Sequence, residues 1–287
     1  MSIVTKQLIL STVRIIAYTK KGTATGTGFV YLHKRNGKSR YFVVTNKHVI
    51  KDAIRGEMIF HEGELINGKM TPKLRCGLSV PFNEHDFWGN SNNLIDIAVM
   101  NISTIVNVNL ENFYLMAITE KVRPKDEKKD KLISPIEEVL FIGYPIGIWD
   151  TKNYLPIVRK GITATPYYIN FENEKKYLID AAVFPGSSGS PVFIYRSGTH
   201  LDNSGDMQIG EQLYFIGIIS EYLKVTKKGK IIKEEIPSSL ESYVEIDQAL
   251  NLGIVFNDAA VVETMDDIVD RILDPIEQAM KQNIIKQ

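Results

Sequence analysis

The chain has 287 residues, of which 44% are hydrophobic, and its 34 basic side chains balance 34 acidic ones. This length and composition allow one large domain or two closely packed halves around a substantial core. With no net charge, no overall field draws the protein to nucleic acid or to an acidic membrane surface, so neither is expected as a partner.

Cysteine content and the N-terminal sequence indicate the compartment. The only cysteine is Cys76, so no disulfide can form within the chain. Secreted proteins of this size often carry several disulfides, and a chain without them fits a reducing compartment. The first 19 residues lack the order of a secretory signal, and no apolar run reaches the ~18 residues of a membrane span. A cytoplasmic location is therefore expected.

Short runs rich in Val, Ile, Tyr and Phe alternate with Gly, Asn, Pro and Lys clusters, a pattern typical of β-strands separated by turns. The predicted strands cover residues 8–19, 27–32, 40–46, 96–103, 138–145, 176–184, 191–196 and 213–223. Many short strands predict an all-β barrel or sandwich. Residues 61–94 and the charged stretch 119–135 are predicted to be surface insertions, and the second is expected to join two β halves.

The segment from residue 264 onward has a helical pattern, because apolar residues recur every four positions. Thr264 is predicted to cap this helix, and Pro275 is expected to kink or split it. The recurring apolar residues are Ile268, Ile272, Ile276 and Met280. This helix is expected to pack against the β-structure or, alternatively, to offer a surface to a protein partner.

The chemistry-bearing motif is the string VFPGSSGSPVF at residues 183–193. A Gly- and Ser-rich string can be a flexible linker, but this one lies between apolar strand residues. Gly186 allows a turn in which its own amide and that of Ser188 point to one spot, and two such donors form an oxyanion hole. Ser188 is the candidate nucleophile, and the backbone amides of Gly186 and Ser188 are the candidate oxyanion hole.

A serine hydroxyl needs a base and a group that orients the base. His48 follows the β run YFVVTN, and Asp96 opens the run DIAVMNI. Each of them alone is more often a structural residue, but together they can form a system in which the carboxylate fixes the imidazole tautomer. The remaining histidines lie in polar, loop-like sequence and are interpreted as structural; they are His33, His61, His85 and His200.

Taken together, these signals resemble the trypsin-like, chymotrypsin-fold serine peptidases. The matching strings are TGTGFV (25–30), TNKHVI (45–50), DIAV (96–99), DAAVFPGSSGSPV (180–192) and GIISE (217–221), and the resemblance covers roughly residues 8–250. The order His48, Asp96, Ser188 is also that of the family. The strand sequence before the nucleophile is similar to that of the bacterial HtrA/Deg branch. The C-terminal remainder is nevertheless expected to be too short for that branch's peptide-binding PDZ domain.

The resemblance implies a mostly β fold of two six-stranded antiparallel β-barrels with the site in the cleft between them. We expect a peptidase domain at 1–258, with its barrels joined near 116–136, and a C-terminal α-helical extension at 259–287 packed on it. His48 and Asp96 would come from the first barrel and Ser188 from the second. Ser220 in GIISE matches a serine that commonly supports the triad aspartate.

The resemblance also indicates where a substrate binds. Ser220, Glu221 and Tyr222 match the strand segment that pairs with a substrate backbone. Ala182 matches the floor of the primary specificity pocket and carries no acidic group for a substrate Arg or Lys, while Tyr222 on the neighbouring wall is bulky. A small or medium aliphatic P1 side chain is therefore expected.

The predicted function is hydrolysis of peptide bonds by a serine endopeptidase that uses a Ser-His-Asp acyl-enzyme mechanism and has a restricted intracellular protein substrate. No metal or organic cofactor is expected, because no Cys/His cluster has zinc-site spacing. Two alternatives stay open: a catalytically idle trypsin-fold binding or scaffold module, and an esterase with the same triad. A regulatory protein partner is a further expectation, at residues 61–94 or at the C-terminal helix.

Overall fold

The computed structural model describes residues 3–108, 112–125, 133–201, 205–231 and 242–285. Its strands are β1 (Thr12–Thr19), β2 (Gly22–Arg35), β3 (Lys38–Thr45), β4 (Arg55–Ile66), β5 (Lys69–Phe82), β6 (Trp88–Gly89), β7 (Ala98–Asn101), β8 (Ile118–Thr119), β9 (Glu138–Gly143), β10 (Ile157–Thr163), β11 (Lys176–Asp180), β12 (Pro191–Leu201), β13 (Met207–Ile231) and β14 (Ser242–Asn257). Its helices are α1 (Ile3–Leu10), α2 (Lys47–Ile50), α3 (Ser103–Val108), α4 (Asp258–Ile268) and α5 (Asp274–Ile285). The predicted mostly β fold class is confirmed.

The second half of the chain forms a closed six-stranded barrel in the order β10-β11-β14-β13-β12-β9. Every neighbouring pair in this barrel is antiparallel. The expected six-stranded antiparallel barrel is therefore present here.

The first half differs from the expected closed six-stranded barrel. It is an eight-stranded sheet in the order β5-β4-β1-β2-β3-β7-β6, with β8 added beside β2. The β2–β8 pair is parallel, so this half is not purely antiparallel. Among the described residues β5 and β6 do not pair with each other. Residues 83–87, which include a 3₁₀ turn at Glu84–Asp86, connect the two strands.

The N-terminal segment is a helix up to Leu10, where the sequence predicted a strand from residue 8. The reason lies in the neighbours of β2. Thr12 on β1 pairs with Phe29 on β2, and two residues further along β2 Tyr31 already pairs with Ile118 on β8. Because β8 occupies this edge of β2, and residues 112–114 bond to the β4 edge at His61 and Gly63, the residues before β1 have no open strand edge among the described residues.

Residues 61–94 are not a simple surface insertion, since most of them belong to β4 and β5. The two strands form a long hairpin whose register runs from Gly56–Phe82 to Ile66–Lys69. Asn67 and Gly68 form its turn, with φ angles of 51° and 73°. An Asn-Gly pair with both φ values positive is the favoured two-residue hairpin turn. The Asn-Gly sequence could therefore have predicted this hairpin, although the polar composition of the region indicated a surface loop.

The C-terminal helix begins earlier than predicted. Asn257 is the N-cap, because its side chain accepts a 3.0 Å hydrogen bond from the Ala260 amide. Thr264 instead lies inside α4, where its hydroxyl donates to the Ala260 carbonyl at 2.8 Å. A π turn at Val269–Leu273 separates α4 from α5 just before Pro275, as expected for a residue that cannot donate a helical hydrogen bond.

Only part of the predicted apolar stripe is buried. Ile268 is fully buried, and Ile272 packs against the same core cluster. Ile276 and Met280 are 45% and 61% exposed. Of the four predicted residues, Ile268 and Ile272 therefore pack on the core, and Ile276 and Met280 do not.

The largest core cluster lies where three parts of the chain meet. Phe29 on β2 and Phe215 on β13 have ring centroids 5.4 Å apart, which joins the two halves. Met265 of α4 is fully buried in the same cluster. A backbone hydrogen bond of 2.9 Å from the Thr27 amide to the Ser188 carbonyl also crosses this junction, so the candidate residues of both halves converge there.

Candidate active site

His48 lies in the one-turn helix α2, directly after β3. Its neighbours Val49 and Ile50 are buried, whereas the His48 side chain is 44% exposed. The Asn46 side chain donates a 2.7 Å hydrogen bond to the Asp96 carbonyl and ties this turn to the segment before β7. The histidine backbone is thus fixed while its ring faces the open surface.

Asp96 connects His48 to the second half of the molecule. Its Oδ2 lies 2.5 Å from His48 Nδ1, and its Oδ1 accepts a 3.2 Å hydrogen bond from the His48 amide. The Ser220 hydroxyl donates to Asp96 Oδ2 at 2.8 Å. The predicted histidine, aspartate and supporting serine are therefore in direct contact.

The surroundings of Asp96 keep it ionised. Burial by itself would raise the pKa of Asp96, but hydrogen bonds from His48 and Ser220 outweigh it and hold this pKa below its usual value. A carboxylate at Nδ1 stabilises the tautomer that carries its proton there. The other ring nitrogen, Nε2, is then the basic one.

Ser188 lies in the turn before β12, and its hydroxyl does not contact His48. It donates a 2.9 Å hydrogen bond to the Ser220 carbonyl. In the described part of the chain no hydrogen bond joins Ser188 to the imidazole. The structure therefore brings Ser188 beside Ser220, whose side chain holds Asp96, with the Ser188 hydroxyl bonded to the Ser220 carbonyl rather than to the imidazole.

The backbone around Ser188 is oriented by the hydrogen bonds of its carbonyls. The Pro185 carbonyl accepts from the Ile146 amide at 2.6 Å, and the Ser187 carbonyl accepts from the Ser190 amide at 3.0 Å. Because the N–H of a trans peptide points opposite to its carbonyl, the amides of Gly186 and Ser188 point away from these partners. Within the described residues neither amide donates a hydrogen bond, so both are available to an incoming oxygen.

Thr27 is a residue of this site that the sequence reasoning did not single out. Its hydroxyl donates to the Gly186 carbonyl at 2.9 Å and accepts from the Tyr144 amide at 3.1 Å. Its own carbonyl lies where a Cβ at position 189 would be only 1.8 Å away, which explains Gly189. The signal was present in TGTGFV, where a hydroxyl residue stands between two glycines that permit close backbone approach.

The substrate-binding candidates line one edge of the second barrel. On one edge of β13 the pairing with β12 starts at Pro191, which lies opposite Ile218. Residues 220–222 lie beyond that point and pair with β14 on the other edge only. Their first edge therefore has no strand neighbour among the described residues. Glu221 is exposed, whereas Tyr222 packs partly on the barrel core. Ala182 is half-buried in the segment that leads to the Ser188 turn.

No helix among the described residues is long and apolar enough to cross a membrane.

Comparison with known proteins gives the following matches. Residues 26–200 match the family model of the trypsin-like peptidase domain, and this range includes His48, Asp96 and Ser188. The serine protease Do-like HtrA of Lactobacillus helveticus is 24% identical over 253 residues, which cover 80% of this chain and 52% of that protein. The chain thus spans about half the length of this curated relative.

Solved structures also resemble the fold. The HtrA-type protease AlgW with a bound tripeptide superposes with a TM-score of 0.51 at 16% identity, covering 93% of this chain and 62% of that one. A serine endoprotease from Yersinia pestis gives a TM-score of 0.48 at 18% identity, covering 93% and 65%. At these identities the first likeness supports the fold only.

Proposed function

The chain belongs to the trypsin-like peptidase domain family, and we propose that it is a serine endopeptidase in which Ser188 is the nucleophile, His48 the general base and Asp96 the carboxylate that orients the base. The observation that carries this proposal is the continuous hydrogen-bonded series from Ser220 through Asp96 to His48. It lies beside a turn that presents a serine hydroxyl and two unpaired amides.

The proposed reaction begins with a rotation of the Ser188 side chain. The hydroxyl leaves the Ser220 carbonyl and turns toward His48 Nε2, which takes its proton as Oγ attacks the peptide carbonyl carbon. His48 then returns the proton to the leaving amine, and an acyl-enzyme forms. Water attacks this ester with the same base and releases the second product.

The oxyanion formed during attack is proposed to bind the amides of Gly186 and Ser188. Within the described residues both amides lack an acceptor, and hydrogen bonds to the neighbouring carbonyls of Pro185, Gly186 and Ser187 hold the turn in place. Donors that are already oriented before reaction require no reorganisation when charge develops, which is why such sites lower the barrier strongly.

A substrate strand is proposed to bind the open edge of residues 220–222. Its amide at the scissile residue would compete with the Ser188 hydroxyl for the Ser220 carbonyl. Binding in this register would therefore release the hydroxyl toward His48. Ala182 and the partly buried ring of Tyr222 support a pocket for small or medium aliphatic P1 side chains, without a carboxylate for a basic one.

Location and partners form the remaining part of the proposal. A single cysteine is consistent with a reducing, cytoplasmic compartment. We propose a restricted protein substrate, since an unspecific peptidase there would damage its own cell, and we propose neither nucleic acid nor membrane as a partner. A regulatory protein partner would act through the β4–β5 hairpin or the C-terminal helices.

The decisive experiment is labelling with a fluorophosphonate probe, which reacts only with an activated serine. Wild type is expected to be labelled, and Ser188→Ala is expected to lose the label together with peptide hydrolysis, which should fall by about 10⁶-fold. Ser187→Ala, which removes the adjacent buried hydroxyl, serves as the matched control and should keep the label. A folded wild type that is never labelled would favour the idle scaffold module, and ester turnover without peptide turnover would favour the esterase.

A further inference from the structure

A cavity of about 430 Å³ opens directly beside His48 and belongs entirely to the first half of the chain. It lies between the β1–β2 turn and the segment after α2, and its described lining includes His48, Ile54, Lys20, Lys21, Lys51 and Asp52. We call it the lysine cavity. Its volume is within the range of ordinary ligand pockets, ~300–1000 Å³.

The lining of the lysine cavity is cationic. It carries three lysines and one carboxylate among the described residues, so its formal balance is +3 − 1 = +2. In the described part of the chain Lys20, Lys21 and Lys51 form no ion pair and are exposed. Lys47, which precedes His48 in α2, differs because its ammonium donates to the Asn90 carbonyl at 2.9 Å.

The turn that carries two of these lysines has a fixed shape. The Thr19 hydroxyl donates to the Gly22 carbonyl at 3.0 Å and accepts from the Lys21 amide at 3.1 Å. On the opposite wall the Ile54 amide donates to the Tyr18 carbonyl at 2.9 Å, which ties that wall to β1. The lysine stems are therefore presented from an ordered frame, while their ammonium groups remain free.

Where a substrate would lie relative to the lysine cavity follows from the proposed function, on which this inference rests. The acyl side of a substrate would occupy the edge of residues 220–222 and the pocket near Ala182, both of the second half. His48 gives its proton to the leaving amine, so the residues after the scissile bond pass the imidazole and reach the first half. A strand advances about 3.3 Å per residue, so a cavity that includes His48 in its lining is within reach of the first three of them.

We propose that the lysine cavity selects substrates with Asp or Glu in the first three positions on the leaving-group side of the scissile bond. A carboxylate there would gain attraction from up to three unpaired ammonium groups, whereas a substrate Lys or Arg would be repelled. Exposed pairs are individually weak, so the expected selection is a moderate one. We expect roughly three- to tenfold in kcat/KM for acidic over neutral residues.

The test is to digest a proteome-derived peptide library and to read the residues on both sides of each cut. Wild type should enrich Asp and Glu in the three leaving-group positions, and the enrichment should shrink at 1 M salt because exposed charges are screened. Lys21→Glu should abolish the enrichment, and Lys20→Glu combined with Lys21→Glu should reverse it toward Lys and Arg. Lys281→Glu, an exposed reversal on α5, is the matched control and should leave it unchanged.

A p-nitrophenyl ester of an acyl-side peptide separates this proposal from the proposed function, since its leaving group has no residues that could enter the cavity. Ester turnover should be equal within about twofold in wild type and all lysine variants, which also verifies their folding. Ser188-dependent cleavage with no acidic enrichment would overturn the cavity proposal alone. Absence of both cleavage and Ser188 labelling would overturn both proposals.

Discussion

At the scale of single residues, Thr27 holds the proposed oxyanion hole from across the junction between the halves. Its hydroxyl bridges the Gly186 carbonyl and the Tyr144 amide, so it fixes the Gly186–Ser187 peptide, which lies between the two peptides that carry the proposed donors. Because Thr27 lies on β2, the first half of the chain controls the geometry of a loop that belongs to the second half.

We predict that Thr27→Val lowers kcat by about ten- to a hundredfold with little change in KM, since a misaligned donor stabilises charge mainly in the transition state. The measurement is steady-state kinetics on a library-derived peptide. Thr27→Ser keeps the hydroxyl and should restore most of the rate. Equal loss in both variants, or a change in KM alone, would show that Thr27 acts only through packing.

The Ser188 hydroxyl occupies a resting position that differs from the one proposed for catalysis. Its hydroxyl is bonded to the Ser220 carbonyl, although the same residue is proposed to attack substrate after rotation. The three other candidate groups already touch one another. The proposed reactive arrangement requires the Ser188 side chain to rotate away from the Ser220 carbonyl, and such rotamer changes in exposed residues take ps to ns.

At the scale of elements, a buried ion pair between Arg123 and Asp258 holds the start of α4 in place. Asp258 is fully buried, and Arg123, 13% exposed, donates to it through Nε at 2.5 Å. The pKa of Arg123 is raised: burial would lower it, but Asp258 and Glu120 more than compensate. This ion pair attaches the segment after β8 to the helix that fills the shared core.

We predict that Arg123→Met lowers the free energy of unfolding by about 3–5 kcal/mol, because it removes the Arg123 guanidinium from its ion pair with the buried Asp258 carboxylate. Chemical denaturation measures this. The double variant Arg123→Met/Asp258→Leu removes both charges and should recover a large part of the loss. A double variant no more stable than the single one would contradict the ion-pair explanation.

Strand β4 carries a buried histidine, and its burial makes the stability of the fold depend on pH. His61 is 7% exposed, and burial lowers its pKa to about 4. Above pH ~6.5 the ring is neutral in both folded and unfolded chains, so it does not affect stability. As the pH falls from 6.5 toward 4, only the unfolded chain gains the proton, and stability is lost.

We predict that wild type loses up to about 3 kcal/mol through His61 between pH 6.5 and pH 4, at about 1.4 kcal/mol per pKa unit. The quantity to measure is the difference in unfolding free energy between wild type and His61→Gln at several pH values. This difference should change across that window and level off above it. His85→Gln, at an exposed position, is the matched control, and identical pH profiles for wild type and His61→Gln would refute the assignment.

At the scale of the whole molecule, the two halves and the C-terminal helices share one core. Phe29, Phe215 and Met265 come from three different parts of the chain and belong to a single buried cluster. Beside this cluster, the buried Arg40 of β3, 5% exposed, pairs with Asp274 at 2.5 Å and with Glu277 at 2.8 Å. The C-terminal helices therefore contribute both apolar and ionic contacts.

We predict that deleting residues 258–287 prevents stable folding and abolishes Ser188 labelling, because the core between the halves would lose several fully buried side chains at about 2–5 kcal/mol each. Deleting only residues 279–287, where Met280 is exposed, should lower the melting temperature by less than about 5 °C. Thermal unfolding and fluorophosphonate labelling measure both effects. A stable, labelled protein without α4 would contradict the shared-core description.

Much of this could be predicted from local sequence, and the errors have identifiable causes. The Ser188 turn, the β runs and the split at Pro275 follow from the conformational limits of glycine, β-branched residues and proline. The strand predicted for residues 8–19 is present but begins only at Thr12, because β8 and residues 112–114, distant in sequence, occupy the edges of β2 and β4 beyond it. The hairpin around Asn67 was missed because polar composition was given more weight than turn geometry.

The sequence by itself determined the kinds of chemistry available: a serine among glycines, a histidine after a strand and an aspartate before one. These are properties of residue type and near neighbours. Only the tertiary structure decided which of them meet, that Thr27 holds the Gly186 turn and that three lysines surround a cavity beside His48. Such contacts join residues up to 159 positions apart, and their formation depends on how whole sheets pack rather than on any local preference of the chain.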